Sequence, residues 1–247
     1  GRPVMKNVAG YDLAKLFIGG YGTLGLITDV TFRISSRPRL VRSLAMPVAS
    51  MAEGLAWGER LAQEALVASA VLLTRKADVP GIPEGSDDMA LVYTAEGLPE
   101  DVDAELAAVR DLLYRSGAPE PVALEASGND VWADWMVRDL LETDDYLVRL
   151  GVPAKDLSGV IRNLATELDG AGMVLDFANG HAYLRGAFDL SQVRSAALRR
   201  EGYAVVHRSR RPDVDVWGYR PGGLTQMRRI KETWDVFNTF NPDVYVF

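Results

Sequence analysis

Four glycines crowd one short stretch near the start of this 247-residue chain: Gly19, Gly20, Gly22 and Gly25 surround Thr23 and open onto a β-branched run. A loop without Cβ atoms can bring backbone N–H groups against a phosphate or a nucleotide ring. It is not a P-loop, because no Gly-Lys-Ser/Thr is present. The dinucleotide fingerprint differs too: its glycines leave a strand and enter a helix, and here the order is reversed. By itself the cluster also reads as an ordinary glycine-rich turn.

Other side chains with chemical potential are sparse. The two histidines stand apart in sequence, His181 beside a predicted hairpin turn and His207 on a late strand, and each reads as a strand residue before it reads as an acid or base. Arg185, Arg208, Arg210 and Arg211 could hold a carboxylate through the planar guanidinium fork, or form a solvated basic face. No residue stands out as a catalytic base. The absence of cysteine excludes a disulfide framework, a thiolate zinc site, a cysteine nucleophile and a cysteine-ligated iron–sulfur cluster in this chain. A net charge of −7 argues against a nucleic-acid partner. No apolar run approaches the roughly 20 residues of a membrane helix. No signal peptide opens the chain, so a cytoplasmic location is the default expectation.

The elements that must position these groups follow from periodicity and punctuation. Asp12 is placed to cap a short helix ending at Gly19, and residues 27–34 alternate as a strand. Residues 35–39, Ser-Ser-Arg-Pro-Arg, mark a boundary, giving expected domains 1–37, 38–212 and 213–247. The middle region then reads strand 40–48, helix 50–66, strand 69–74, loop 78–88, strand 89–95, helix 99–115 and strand 121–125. A linking helix, 129–142, carries Trp132, Trp135 and Met136 on one side. The same order returns: strand 146–150, helix 153–168, a hairpin of 173–177 and 181–185 about Asn179-Gly180, a helix capped by Asp189, and strand 203–208. The predicted class is therefore α+β: two tandem ferredoxin-like β-α-β-β-α-β halves sharing a mainly antiparallel sheet, with helices on one face. A basic helix, 225–235, and an aromatic tail with Asn241-Pro242 end the chain.

The run Lys6-Asn7-Val8-Ala9-Gly10-Tyr11-Asp12-Leu13, then Leu16-Phe17-Ile18-Gly19, then Gly22-Thr23-Leu24-Gly25-Leu26-Ile27-Thr28, resembles the closing segment of the FAD-binding (PCMH-type) domain of the vanillyl-alcohol-oxidase family. Within that family it is similar to the FAD-binding E subunits of bacterial glycolate oxidases. The tail Met227-Arg228-Arg229-Ile230-Lys231, Asp235 and Asn241-Pro242 resembles the family's closing motif, with Val236, Asn238 and Asp243 replacing a proline and two glycines. Tyr21 stands where relatives often have glutamate.

The resemblance implies that Gly22, Thr23, Leu24, Gly25 and Ile27 lie along FAD near its adenine end, and that Asn7, Ala9 and Gly10 lie nearer the flavin. It implies the remnant of an FAD domain, whose pyrophosphate loop lies upstream, followed by a cap domain. The text from Gly1 to Arg33 reads as the interior of a domain, so the chain is expected to be a fragment, or the product of a misassigned start, and to hold FAD weakly alone. The implied activity is oxidation of a 2-hydroxy acid such as glycolate, with electrons passed to an iron–sulfur subunit beside a second flavoprotein subunit. A non-catalytic assembly subunit is the alternative. Relatives with a cap metal site use several histidines and a glutamate, so no metal is expected with two.

Overall fold

The computed structural model describes residues 12–64, 68–80, 82, 89–124, 127–138 and 144–244. The chain divides into two compact units, Pro38–Gly218 on one hand and Gly1–Arg37 with Tyr219–Phe247 on the other.

In the larger unit the strands are β1 (Leu40–Pro47), β2 (Ala68–Arg75), β3 (Met89–Gly97), β4 (Val122–Leu124), β5 (Tyr146–Gly151), β6 (Gly172–Asp176), β7 (His181–Gly186) and β8 (Tyr203–Ser209). The helices are α2 (Met51–Glu64), α3 (Pro99–Arg115), α4 (Gly128–Val137), α5 (Leu157–Asn163) and α6 (Leu190–Leu198); α1 (Ala14–Phe17) and α7 (Leu224–Trp234) belong to the smaller unit. Their starts are chemically legible. Ser50 Oγ accepts the N–H of Glu53 at 3.3 Å, Pro99 opens α3, and Asp189 accepts the N–H of Ser191 at 2.8 Å. At α4, Ser127 and Asp130 form a reciprocal capping box.

All eight strands lie in one antiparallel sheet, ordered β4-β1-β3-β2-β6-β7-β5-β8. The first four have the order 4-1-3-2 and the second four its mirror, 2-3-1-4, so two ferredoxin-like halves meet at β2–β6. The expected class and mainly antiparallel sheet are what the structure has. Both halves bury a common core beneath α2, α3, α5 and α6, containing Leu55, Leu73, Tyr93, Val102, Leu150, Leu157, Ile161 and Val193. Alternation then sends every second strand residue to the opposite face.

That opposite face is not bare. α4 lies on it, with Val131 and Trp135 buried against Ala45, Leu72, Val92, Leu147 and Val174. Its first turn is held by one half: Gly128 N–H donates to Thr94 Oγ1 at 2.8 Å, and Thr94 is hydrogen-bonded to Ser43. Its last turn is held by the other. Arg185 donates to the carbonyls of Trp135 and Arg138 at 2.6 and 3.1 Å, and Arg208 to those of Met136 and Arg138 at 2.9 and 3.0 Å. Two cations on the carbonyl end of a helix also suit its dipole.

Four expectations change. Residues 27–34 are not a paired strand: none of the described strands lies beside them, and Leu26, Phe32 and Ile34 are 80%, 79% and 89% exposed. Alternation prepares a segment for a sheet, but only a neighbouring ladder makes it a strand. Asp12 does not cap α1 (Ala14–Phe17); its carbonyl receives the N–H of Lys15 and its carboxylate pairs with the same lysine at 3.4 Å. The helix expected over 153–168 is a 3₁₀ turn, Ala154–Asp156, then α5, then tight turns. From Leu164 to Ala171 bonds that reach back three residues are mixed with the four-residue bonds of Leu164 to Val160 and Leu168 to Leu164, and Leu164 and Leu168 still enter the core. Helices cover both faces rather than one, because α4 caps the second. The expected elements also run into 65–67, 83–88, 125–126 and 139–143, which lie outside the described residues.

Candidate functional site

In the smaller unit, α1 runs into the glycine loop and α7 (Leu224–Trp234) runs into the tail. Phe17 of α1 stacks on Trp234 of α7, with ring centroids 5.7 Å apart. Gly19 and Gly22 have φ of +75° and +70°, the left-handed region that favours glycine. Thr23 is buried, its hydroxyl donating to Gly20 O at 2.7 Å.

Two tail side chains grip this loop on either side of Gly22. Lys231 Nζ donates to Thr23 O at 2.8 Å and to Phe240 O at 2.6 Å, and its third partner is the Asp235 carboxylate. Asp235 also accepts from Thr239 N, Thr239 Oγ1 and Phe240 N. Burial pushes the Asp235 carboxyl upward, but Lys231 and the Thr239 and Phe240 donors outweigh it and hold the group well below the usual carboxylate range. Asn241 Nδ2 donates to Tyr21 O at 2.7 Å.

At two of these glycines an added side chain would meet the chain itself. A Cβ built on Gly22 meets Asn241 Nδ2 at 2.8 Å, and one on Gly25 meets the Phe17 ring at 3.3 Å. The space beside them is filled by the protein itself, so a side chain there disturbs the loop before it meets any ligand.

Of the residues marked for FAD, Gly22, Thr23, Leu24 and Gly25 are together in the loop, and Ile27 follows on the exposed extended segment. Asn7, Ala9 and Gly10 lie outside the described residues. Leu24 lines a cavity of about 180 Å³ with Leu16, Ile18, Gly20, Met227 and Ile230. Such surroundings fit the neutral parts of a flavin nucleotide: backbone groups of an unladdered segment and apolar walls. Lys231, the buried cation of this region, spends its three protons on protein oxygens and leaves none for a pyrophosphate.

The second constellation lies on the open face of the second half-sheet. Along β7, Ala182 and Leu184 enter the core while His181, Tyr183 and Arg185 point the other way. Tyr183 is the centre: its ring centroid is 6.5 Å from that of His181, 6.4 Å from His207 and 5.5 Å from Trp132 of α4. Arg149 of β5 lies with its guanidinium 5.4 Å from the Tyr203 ring centroid, and Tyr203 Oη is 3.4 Å from His181 Nε2. Burial, then the Arg149 cation, pushes both imidazoles below their ordinary value, with Asp176 opposing this at His181 and Arg208 adding to it at His207. Both are neutral at pH 7. Burial pushes the Tyr183 phenol up, with Arg149 opposing it.

The N–H groups Arg149 Nε and Trp132 Nε1 on this face are buried without a hydrogen-bond partner among the described residues. A buried donor left unpaired costs about 1–3 kcal/mol, so donors of this kind call for water or an acceptor. An arginine cation amid two neutral imidazoles and two phenols is chemistry for a small anion, and the neutral imidazoles can take up a proton.

Sequence reading missed this cluster. Arg149, Tyr183 and Tyr203 sit on three strands, and only their odd-numbered places in the alternation hinted at a shared face. Three of the four arginines it named as able to hold a carboxylate are engaged elsewhere: Arg185 and Arg208 hold α4, and Arg211 pairs with Asp145. Among the described residues no group of three or more histidine, aspartate or glutamate side chains is placed to hold a metal, and no helix is long and apolar enough to cross a membrane.

The glycine loop bound by the chain's own tail and the eight-stranded sheet of two ferredoxin-like halves make up an α+β fold of the PCMH-type FAD-binding kind. The same fold is found in a solved alkyldihydroxyacetonephosphate synthase, with a TM-score of 0.58 at 14% identity over 97% of this chain and 52% of that one. The sequence relatives are named for 2-hydroxy acids. Glycolate oxidase subunit GlcE of Escherichia coli K12 is 43% identical over 60 residues, 23% of this chain and 17% of that protein. Subunit GlcD of the same organism is 26% identical over 170 residues, 63% of this chain and 34% of that protein. The D-lactate dehydrogenase of Anaerostipes hadrus is 39% identical over 56 residues, 23% of this chain and 12% of it. The matches thus span about a third or less of these relatives. No family model matches the chain.

Proposed function

We propose that this chain is part of an FAD-dependent 2-hydroxy-acid oxidoreductase of the cytoplasm that converts glycolate to glyoxylate. Electrons then pass to a partner subunit carrying iron–sulfur clusters, in a complex with a second flavoprotein subunit. Support for the cofactor comes from the PCMH-type FAD-binding fold and from the glycine loop, whose conformation is fixed by Lys231 and Asn241. In this reading Gly22, Thr23, Leu24, Gly25 and Ile27 lie along the adenine half of FAD, and Asn7, Ala9 and Gly10 lie nearer its flavin. Bound FAD would accept the hydride from the substrate's α-carbon.

The observation that carries the substrate class is the Arg149 cluster. Its guanidinium offers the carboxylate a charge-assisted partner, stronger than a neutral one. His181 and His207, neutral at pH 7, are the side chains there able to accept the hydroxyl proton. Trp132 and Tyr183 supply the aromatic wall on the side of α4.

The test is turnover by the full-length gene product, supplied with FAD, glycolate and a dye acceptor. Reduction of the dye with formation of glyoxylate supports the proposal. No turnover with glycolate, D-lactate or other 2-hydroxy acids, in a protein that still assembles with partner subunits, would establish a non-catalytic assembly role instead.

A further inference from the structure

Gly22 sits between two carbonyls that are both taken by the same distant segment. Tyr21 O receives Asn241 Nδ2, and Thr23 O receives Lys231 Nζ, 220 and 208 residues away in the chain. We propose that Lys231 and Asn241 are positioning residues for the nucleotide loop, setting the affinity for the adenine half of FAD without touching the cofactor. The inference rests on the FAD reading above and adds to it the residues that fix the loop.

The two contacts differ in kind. Lys231 is buried and donates all three protons, to Thr23 O, Phe240 O and the Asp235 carboxylate, so it ties loop, helix and tail at one point. Asn241 is exposed and makes its bond from a residue with φ of +42°, a conformation that asparagine tolerates better than most side chains. The loop is strained at Tyr21, whose φ is +51°. A non-glycine residue in the left-handed region persists only where its surroundings hold it. Here the holders are an amide on one carbonyl and an ammonium on the next. Asn241 also fills the space in which a Gly22 Cβ would lie. Loop and amide thus specify each other. The Phe17–Trp234 stack brings α7 against α1 and so aligns the lysine with the loop.

Asn241→Asp is the decisive variant. It keeps the size and the tolerance for positive φ, removes the donor and turns an oxygen toward Tyr21 O. Asn241→Gly removes the side chain and keeps the backbone freedom; because position 241 is exposed, neither variant threatens folding. Affinities for FAD and for FMN, which lacks the adenine half, are measured by flavin fluorescence on the full-length protein well below its melting temperature. Loss of one hydrogen bond corresponds to a drop of about three- to tenfold. That drop is expected for FAD in both variants, with FMN affinity unchanged. Unaltered FAD affinity would overturn the proposal, and so would an equal fall for FAD and FMN, which would mark a general fault in the fold. If the wild-type protein binds neither flavin, the FAD reading itself fails. Amide exchange of residues 22–26 then judges the clamp: faster exchange in Asn241→Asp supports it, and an unchanged rate overturns it.

Discussion

Gly58 tests how closely the two half-sheets are joined. It lies in the middle of α2, in the first half, and a Cβ added there would stand 2.3 Å from two ring carbons of Phe177 and 2.8 Å from a third. Phe177 follows β6, in the second half, and is 4% exposed. Alanine is favoured over glycine in a helix by about 1 kcal/mol. Overpacking a well-filled core costs about 1–3 kcal/mol, and a rigid ring with no free direction belongs at the upper end. The net expectation for Gly58→Ala is a loss of about 2 kcal/mol, a fall of roughly 4–8 °C in melting temperature for a unit of this size. Gly159, within α5, has nothing within 4 Å of its Cβ position. Gly159→Ala should therefore gain up to about 1 kcal/mol from the same chemistry. Thermal melts followed by circular dichroism read both. Phe177→Leu in the Gly58→Ala background should recover stability relative to the sum of the single changes, with a coupling of about 1–2 kcal/mol. A Gly58→Ala protein that melts at or above wild type would refute the contact and, with it, the packing of α2 across the joint.

Arg149→Gln should raise the KM for a 2-hydroxy acid at least tenfold, since a charge-assisted bond contributes about 1.5–3 kcal/mol; steady-state kinetics with an unchanged KM would remove Arg149 from the site. Both histidines have pKa values depressed in the folded protein below the ordinary 6.5, so below that value the unfolded chain binds more protons than the folded one. Stability should be full above about pH 6.5 and fall as pH drops below it. Urea melts from pH 8 to 5 should show this slope, reduced in His207→Gln; an equal slope in the variant would deny the coupling. The chain from Gly1 to Phe247, titrated with FAD by calorimetry, should bind more weakly than nanomolar, because Lys231, the buried cation beside the glycine loop, spends its protons on protein oxygens and leaves none for a pyrophosphate. A yellow protein straight from purification would contradict that.

Local signals carried much of the fold. Strand alternation, the Ser50, Pro99 and Asp189 helix starts and the Asn179-Gly180 turn are chemistry between near neighbours, and the repeated element order follows from them. So does the resemblance of residues 6–28, because a loop of glycines with special φ is written in contiguous residues. What the sequence left open depends on partners far apart in the chain. Whether residues 27–34 pair is decided by a neighbouring strand, not by their own alternation. Which arginines are engaged was decided by α4, whose final carbonyls take Arg185 and Arg208 and leave Arg149 facing the histidines. His181 and His207 became one site because β7, β5 and β8 are neighbours in the sheet. Lys231 and Asp235 announced themselves only as a lysine and an aspartate four apart; that the lysine reaches Thr23 is a fact of tertiary structure. Periodicity reports which face a residue takes, while hydrogen-bond partners and pKa shifts depend on what the folded chain places opposite that face.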